Sequence, residues 1–262
     1  MSIKIIGTGH IFQRSVDEVT AAIEQEQPDF VAIELDSERF NALESLNWDL
    51  NSGRNELRWN SFLHSPSALF REFLGMIQRE MGEKLGIAAG SDMKAAVFAA
   101  RKTGATLALI DRSISLTMNH LLASPFREKI NLLLLSPEID ITRLDNLIED
   151  ENLDKVMNEL KTKVPGIYGA LVGERDQYMA YMLSQIQCQN PEKNIIAIVG
   201  AGHKQGINKY LQMLYEIDMQ TLMKPKKVYS FQIIPLVFVV IIAYVLMKIW
   251  FLSHSIRRLL PF

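Results

Sequence analysis

Short apolar runs alternate with amphipathic stretches along most of the chain. Four of the runs have the length and the branched side chains of buried strands, and they cover residues 2–7, 30–35, 105–110 and 194–200. The stretches between them repeat apolar residues at the three- and four-residue spacing of helices. Strands that alternate with helices predict an α/β fold with a small, mainly parallel sheet flanked by helices.

Two helices of the first half have recognisable boundaries in the sequence. Ser15 and Glu18 have the spacing of a capping box, which predicts a helix from there towards Pro28. A short strand is expected just before Ser91, and Ser91 itself is expected to cap a helix that ends at Gly104.

The third and the last predicted strand are separated by a long helical pattern. It covers about residues 114–190, and Pro125, Pro137 and Pro165 mark expected helix boundaries because proline lacks an N–H group. This pattern predicts a large helical insertion, which serves either as a lid over the site or as the arm of a homodimer. One more helix is expected after the last strand, to about residue 220.

The C-terminal part of the chain has the pattern of a membrane anchor. Residues 228–247 contain no charged side chain and are long enough to cross a hydrocarbon core. We predict a main domain over residues 1–222, a transmembrane helix over 228–252 and a short basic tail over 253–262. A buried hairpin helix is the alternative. The N-terminus shows no signal peptide, so a single-pass anchor that leaves the main domain in the cytoplasm is expected.

The charge balance and the cysteine content narrow the classes of partner. Lys and Arg total 28 against 30 Asp and Glu, which gives a formal net charge of −2 and no basic footprint for nucleic acid. Cys188 is the only cysteine, so an intramolecular disulfide is excluded and a reducing compartment is indicated. The uncharged C-terminal stretch leaves a membrane as the partner that the residue pattern itself predicts.

Two of the predicted strands lead into the same kind of turn. The sequence is Gly-Thr-Gly-His at residues 7–10 and Gly-Ala-Gly-His at residues 200–203. The C-terminal ends of strands line the ligand crevice of α/β sheets, so both imidazoles face one point if the two strands are neighbours. Neither turn completes the dinucleotide-binding fingerprint, because Phe12 and Gln205 stand where the third glycine is required.

A carboxylate belongs to the same edge of the predicted sheet. Glu34 lies near the end of the second strand, and with His10 and His203 it makes the two-histidine, one-carboxylate set of many hydrolytic metal sites. We therefore predict a divalent ion (manganese, cobalt or zinc), with Asp36 and Asp111 as candidate further ligands. Two alternatives stay open: a proton-transfer site without metal, or ordinary bends with surface histidines.

A lone arginine interrupts the apolar face of a predicted helix. Arg175 falls at the centre of that face, where a charge must be paired or must point into a polar cleft. It is expected either to form a structural ion pair, with Glu34 or with the flanking Glu174 or Asp176, or to hold a substrate carbonyl or carboxylate. Arg112, just past the third strand, has the same two interpretations.

Four segments together resemble the TraB/PrgY pheromone-shutdown family. They are GTGHIFQRSVDEVTAAIEQEQPDFVAIELDSERFNAL, GSDMKAAVFAARKTGATLALIDRSISLT, GERDQYMAYML and IVGAGHKQGI, spread over residues 3–215. That family is related to the TIKI membrane-anchored proteases and, more distantly, to erythromycin esterases and ChaN-like folds. The family motifs fall on His10, Glu34, His203, Asp111-Arg112 and Glu174-Arg175-Asp176.

The resemblance implies a metal-dependent hydrolase that cleaves peptides and carries a C-terminal membrane segment. The chain departs from the family pattern at Lys204, where an apolar residue is typical, and at His120, where a basic residue is expected after DRSISLT. His120 also lacks partner spacing and is left out of the predicted site. Our hypothesis is a membrane-tethered, metal-dependent hydrolase of peptide or amide bonds. The alternative is a non-catalytic membrane protein that sequesters a peptide or partner.

Overall fold

The computed structural model describes residues 3–8, 13–45, 90–135 and 150–228 of the chain. The strands are β1 (Ile3–Thr8), β2 (Phe30–Ile33), β3 (Thr106–Leu109) and β4 (Ile195–Gly200). The helices are α1 (Gln13–Glu26), α2 (Ser37–Ser45), α3 (Ser91–Thr103), α4 (Ile114–Ala123), α5 (Phe126–Leu135), α6 (Asp150–Lys163), α7 (Pro165–Tyr168), α8 (Glu174–Gln189), α9 (Ala201–Gln212) and α10 (Met219–Leu222). A π-helical turn at Gly169–Gly173 joins α7 to α8, and a 3₁₀ turn at Leu214–Glu216 precedes α10.

The strands form one parallel sheet in the order β1-β4-β2-β3. The α/β fold with a small parallel sheet is therefore confirmed. Strand β4 lies between β1 and β2, so β1 and β2 belong to the same sheet but are not hydrogen-bonded to each other. In β4, Gly200 pairs with Thr8 of β1 and Ile198 pairs with Ile33 of β2. This register brings the C-terminal ends of three strands to one edge of the sheet.

Both faces of the sheet are covered by apolar residues, as a parallel sheet requires. Successive residues of β4 alternate between the faces: Ile196 and Ile198 pack with helices α1 and α3, whereas Ala197 and Val199 pack with α8 and α9. All of β4 is buried. Because both faces are covered and side chains alternate between them, β4 has no polar side chain from Ile195 to Gly200.

Two of the predicted helix boundaries shift in the structure. Helix α1 already includes Gln13, so Ser15 is a buried residue inside the helix and the predicted capping box is wrong. Ser91 is the first residue of α3 and does not cap it, because Gly90 with φ 80° is the N-cap. The predicted end is confirmed: Gly104 has φ 76°, a left-handed conformation that glycine adopts without steric cost.

The described residues between β3 and β4 are mainly helical, as predicted. Pro125 precedes α5 and Pro165 begins α7, as predicted, while Pro137 lies outside the described residues. A third apolar cluster, which includes Met118, Val164 and Ile167, holds these helices together. Helix α9 ends at Gln212, earlier than the expected residue 220, because a 3₁₀ turn and the short α10 follow.

Several predicted features fall outside the described residues. They are the short strand before Ser91, the predicted tail at 253–262 and all of the predicted membrane span except residue 228. Within the ranges that the structure describes, no helix is both long and apolar enough to cross a membrane.

Candidate active site

The strands that precede the two predicted glycine–histidine turns end side by side. Thr8 of β1 pairs with Gly200 of β4 at one sheet edge, and residues 201–203 form the first turn of α9. Glu34 follows β2 on the other side of β4, and its backbone N–H donates to the carbonyl of Ile198 at 3.1 Å. The structure therefore brings Glu34 and the turn at 200–203 together as predicted. His10 lies outside the described residues, and its place in the site stays a prediction.

Glu34 is a buried carboxylate held by protein donors, with 6 % of its surface exposed. Its Oε2 accepts the backbone N–H of Gly200 at 2.6 Å, and its Oε1 accepts a hydrogen bond from Nη2 of Arg175. The same Oε1 lies 3.3 Å from Nε2 of His203. Glu34 directly follows β2, and its side chain reaches the backbone of Gly200 at the end of β4.

His203 lies in the first turn of α9 and is also buried. Its Nδ1 is 2.6 Å from Oδ1 of Asp176, so one ring nitrogen faces a carboxylate on α8 and the other faces Glu34. Burial alone would lower the pKa of His203, but Glu34 and Asp176 outweigh it and raise the pKa to about 9. The pKa of Asp176 is raised in turn, chiefly by burial.

Arg175 is paired with carboxylates from other elements, which confirms that this charge on an apolar face is compensated. Its Nε donates to Asp111 at 3.0 Å, its Nη2 donates to Asp111 at 2.5 Å and to Glu34, and its Nη1 donates to the carbonyl of Leu171 at 3.0 Å. Nη1 also lies 3.0 Å from Nε2 of His203. Burial opposes the charge on Arg175, but the two carboxylates raise its pKa above the ordinary value.

Asp111 and Asp36, the candidate further metal ligands, have different partners in the structure. Asp111 contacts Arg175 and Arg39, and these cations hold the pKa of its carboxyl below the usual value although burial opposes this. Asp36 instead binds the backbone N–H groups that begin two helices, those of Arg39 at 2.7 Å and of Ile114. Asp111 is thus part of the charged cluster, whereas Asp36 fixes α2 and α4 beside it.

Arg112 enters a second cluster. It is fully buried, and its Nη1 donates to Glu174 at 2.9 Å while its Nη2 donates to the carbonyl of Ala170 at 3.2 Å. His120, which is not among the predicted site residues, contacts the same Glu174 through Nδ1 at 2.6 Å. In the described residues, Arg112 contacts Glu174 and His120. Arg175 is the arginine that contacts Glu34 and His203.

This second cluster binds the chain that leads towards residue 228. We call residues 222–226 the C-terminal strap. Arg112 donates to the carbonyl of Leu222 at 3.2 Å, and Nε2 of His120 lies 2.9 Å from the carbonyl of Lys224. Nζ of Lys226 donates to Glu174 at 2.7 Å. Burial opposes the ionised form of Glu174, but these three donors lower its pKa to about 2.

A buried acid that contacts the end of β1 is not among the predicted site residues. Asp92 in the first turn of α3 has no exposed surface, and it accepts hydrogen bonds from the hydroxyl of Thr8 and from the N–H of Met93 at 2.9 Å. It thereby fixes the end of β1 just before the segment that carries His10. Acids in the first turn of a helix are common on surfaces, so no sequence signal marked this one as buried.

A pocket of about 370 Å³ lies beside the charged cluster, between α6 and the start of α9. Asp176 forms part of its wall, which places the pocket next to the carboxylate that binds Nδ1 of His203. Gly206 faces this carboxylate without a side chain, and a Cβ there would lie 2.5 Å from Cγ of Asp176.

The described residues supply part of the predicted metal set. Oε1 of Glu34 and Nε2 of His203 converge, and the carboxylate of Asp176 behind the imidazole is a typical outer partner of a metal-binding histidine. These donors fit a divalent ion, although Arg175 contacts the same two atoms. Among the described residues no group of three His, Cys, Asp or Glu side chains is arranged to hold an ion, and the predicted third ligand His10 is not among them.

Comparison with known proteins gives consistent matches over most of the chain. Residues 2–221 match the TraB/PrgY/gumN family. An uncharacterised protein of Methanocaldococcus jannaschii is 37% identical over 237 residues, which cover 86% of this chain and 58% of that protein. The human and mouse TraB domain-containing proteins are each 27% identical over 233 residues, or 78% of this chain and 61% of theirs. The chain thus spans about three fifths of the length of these curated relatives.

Proposed function

The chain belongs to the TraB/PrgY/gumN family, and from this premise we propose that it is a membrane-tethered hydrolase of peptide or amide bonds. The observation that carries the proposal is the contact between Glu34 and His203, a buried carboxylate and imidazole 3.3 Å apart at the C-terminal edge of a parallel sheet. Such an edge is where α/β proteins bind their ligands.

In the proposed reaction Glu34 and His203 divide the proton transfers. Glu34 accepts a proton from the attacking water as the water oxygen bonds to the carbonyl carbon. His203, protonated near neutral pH because its pKa is raised to about 9, gives its proton to the leaving nitrogen as the C–N bond breaks. Glu34 then returns the proton to His203 across their 3.3 Å contact. Asp176 keeps the imidazole ring in place through Nδ1.

Arg175 is proposed to supply the fixed positive charge of the site. A guanidinium held by Asp111 and Glu34 needs no reorganisation when the carbonyl oxygen becomes negative, which is the condition for effective electrostatic stabilisation. Because Nη1 of Arg175 lies 3.0 Å from Nε2 of His203, its charge acts next to the proton that is transferred. Asp111 has the role of positioning this guanidinium.

The divalent ion stays a proposal for the same residues. Glu34 and His203 would hold it together with His10, and Arg175 would have to release Glu34. When bound, the ion would lower the pKa of a water molecule and polarise the carbonyl. The side chains of Glu34 and His203 would then hold the ion in place. Asp176 would keep His203 deprotonated at Nε2 by fixing the proton on Nδ1.

The tether and the location of the domain are also proposals. Only Lys227 separates the uncharged stretch 228–247 from the C-terminal strap, which the Arg112–Glu174 cluster holds against the domain. A membrane helix at that position would keep the site at a fixed distance from the bilayer, with the main domain in the cytoplasm. A homodimer through the helices of residues 114–190 remains a candidate assembly.

Digestion of a peptide library in ¹⁸O-labelled water tests the proposed activity. The full chain, purified in detergent, is incubated with the library, and mass spectrometry detects new carboxyl ends that carry ¹⁸O. We expect labelled cleavage products with the wild type and none with Glu34→Gln. Preparations treated with a chelator, and then with manganese, cobalt or zinc, separate the two forms of the proposal. Activity that survives chelation favours the metal-free reaction, and activity that only an added ion restores favours the metal site.

A specific observation favours a second candidate, a protein that binds a peptide without cleaving it. Each nitrogen of the Arg175 guanidinium already has an acceptor within the protein, and both oxygens of Glu34 have donors. Such a closed network is typical of structural ion pairs. This candidate predicts peptide binding that is unchanged by Glu34→Gln or chelation, together with no ¹⁸O incorporation.

A further inference from the structure

The pocket beside Asp176 is lined by lysines from two helices. Its wall includes Lys161 of α6, Lys204 and Lys209 of α9, Tyr168 at the end of α7, and Asp176. We call it the lysine pocket. Its volume of about 370 Å³ falls in the range of small-ligand sites. The pocket accommodates an amino-acid side chain or the end of a peptide.

The three lysines of the pocket differ in their partners from lysines that form ion pairs, such as Lys193 and Lys226. Lys193 pairs with Asp29 at 2.6 Å and Lys226 pairs with Glu174 at 2.7 Å. In the part of the chain that the structure describes, Lys161, Lys204 and Lys209 have no carboxylate partner, and the ammonium of Lys209 lies 5.5 Å from the ring centre of Tyr210. Their positive charges are therefore available to a ligand.

The acids of the pocket are bonded within the protein. Asp176 binds Nδ1 of His203, and Asp154 accepts a hydrogen bond from the side chain of Gln205 at 2.8 Å. Asp176 and Asp154 carry at most two negative charges against the three lysine charges of the pocket. The pocket keeps an excess of positive charge next to a polar wall, which attracts anions.

The lysine pocket adjoins the proposed hydrolytic site at two points. Asp176 is shared by both, since it lines the pocket and holds His203. Lys204 directly follows His203 in α9, and its Cδ would lie 3.4 Å from a Cβ at Gly7, near the end of β1. The charge of the pocket thus lies at the edge of the proposed site.

We propose that the lysine pocket is a carboxylate-binding subsite, which selects peptides with an acidic side chain or a free C-terminal carboxylate. The inference rests on the proposed function for its substrate class, because it identifies the part of a peptide that lies beside the scissile bond. Lysine ammonium groups bind a carboxylate as point charges, and the polar side chains of the pocket add hydrogen-bond donors.

Equilibrium binding of four fluorescent peptides tests the subsite. The probes are acetylated alanine heptapeptides with Glu, Gln or Lys at the centre and an amidated end, and the Gln peptide with a free C-terminal carboxylate. Anisotropy with the full chain in detergent gives each dissociation constant, and mass spectrometry verifies that the probes stay intact. We expect one of the two carboxylate probes, or both, to bind at least about tenfold more tightly than the amidated Gln peptide. The probe that does so identifies the source of the carboxylate.

Lysine variants test whether the pocket causes the preference for carboxylate probes. Lys204→Gln and Lys209→Gln should each weaken binding of the preferred carboxylate probe by about fivefold and leave the amidated Gln peptide unchanged. Lys155→Gln is the matched control, because Lys155 is an exposed lysine of α6 that does not line the pocket. It should have no effect.

Three results would overturn the subsite. They are equal binding of all four probes, no binding of any probe at low ionic strength, and an equal effect of Lys155→Gln and Lys204→Gln. The test is independent of turnover. Carboxylate-selective binding without cleavage of any peptide would overturn the hydrolase alone, and cleavage that ignores peptide charge would overturn the subsite alone.

Discussion

Asp111 and Arg175 form a two-point ion pair that joins the end of β3 to the start of α8, with contacts of 3.0 and 2.5 Å. Their sequence neighbours, Arg112 and Glu174, form a second pair of reversed polarity at 2.9 Å. One pair faces Glu34 and His203, and the other holds the C-terminal strap. The dipeptides Asp111-Arg112 and Glu174-Arg175 therefore connect the candidate site with the segment that precedes the predicted membrane span.

Removal of the Arg175 charge should destabilise the domain strongly. In Arg175→Met the buried carboxylates Asp111 and Glu34 lose their main partner, and breaking a buried ion pair in this way costs about 3–5 kcal/mol of unfolding free energy. Chemical denaturation of the full chain measures the loss. Arg101→Met is the control, since its pair with Glu44 is exposed and should contribute less than about 1 kcal/mol. Equal losses for the two variants would contradict the buried pairing.

The absence of a side chain at Gly206 should be needed for the contact between Asp176 and His203. In Gly206→Ala the new Cβ overlaps the carboxylate of Asp176, and we expect a loss of about 1–3 kcal/mol from this overpacking. Gly173→Ala is the matched control, because the nearest atom to its Cβ would be a Tyr168 carbon at 3.8 Å. Thermal denaturation distinguishes them, and a Gly206→Ala variant as stable as the wild type would contradict the close approach.

The pKa of His203 should be raised by its two carboxylate neighbours, Glu34 and Asp176. Its pKa is raised from 6.5 to about 9, and Asp176→Asn should lower it. NMR of the imidazole protons follows this titration directly. A midpoint near 6.5 in the wild type would contradict the described contacts.

The same raised pKa makes stability depend on pH in a defined direction. The folded state binds the His203 proton more tightly than the unfolded state, so this contribution is complete below pH 6.5 and is lost as the pH rises through about 9. The loss is on the order of 3 kcal/mol. Denaturation at several pH values should show the decline in the wild type and a smaller one in Asp176→Asn.

Glu174 should control the attachment of the C-terminal strap. In Glu174→Gln the charge-assisted contacts to Arg112 and Lys226 are weakened, and amide hydrogen exchange at residues 222–226 should accelerate on the order of tenfold. Glu192→Gln, at an exposed position, is the control. Unchanged exchange in Glu174→Gln would contradict the role of this residue. The pKa of Glu174 is lowered to about 2, so its stabilising effect is present above pH 4.5 and is lost as the pH falls towards 2.

The sequence predicts those features that depend on local pattern. A short apolar run rich in isoleucine and valine identifies β4, and glycine followed by histidine at a strand end identifies the place of His203. Arg175 is recognisable because a charge on an apolar helical face must be compensated.

Other features depend on how distant segments meet. The insertion of β4 between β1 and β2 follows from tertiary packing, and it decides that Glu34 reaches the N–H of Gly200. Nothing in the spacing of Asp111-Arg112 and Glu174-Arg175 indicates that they pair crosswise. The lysine pocket combines residues of α6 and α9 that are more than forty positions apart, from Lys161 to Lys204.

The most direct test of the central claim is the rate of peptide cleavage by Glu34→Gln relative to the wild type, measured with one peptide identified in the ¹⁸O digestion. Hydrogen exchange of β4 first establishes that the variant is folded. If Glu34 accepts the proton of the attacking water or holds the ion, kcat/KM falls about 100-fold or more, while Glu192→Gln is unaffected. A folded Glu34→Gln variant that cleaves within about twofold of the wild-type rate, or a wild type that cleaves no peptide, would contradict the account.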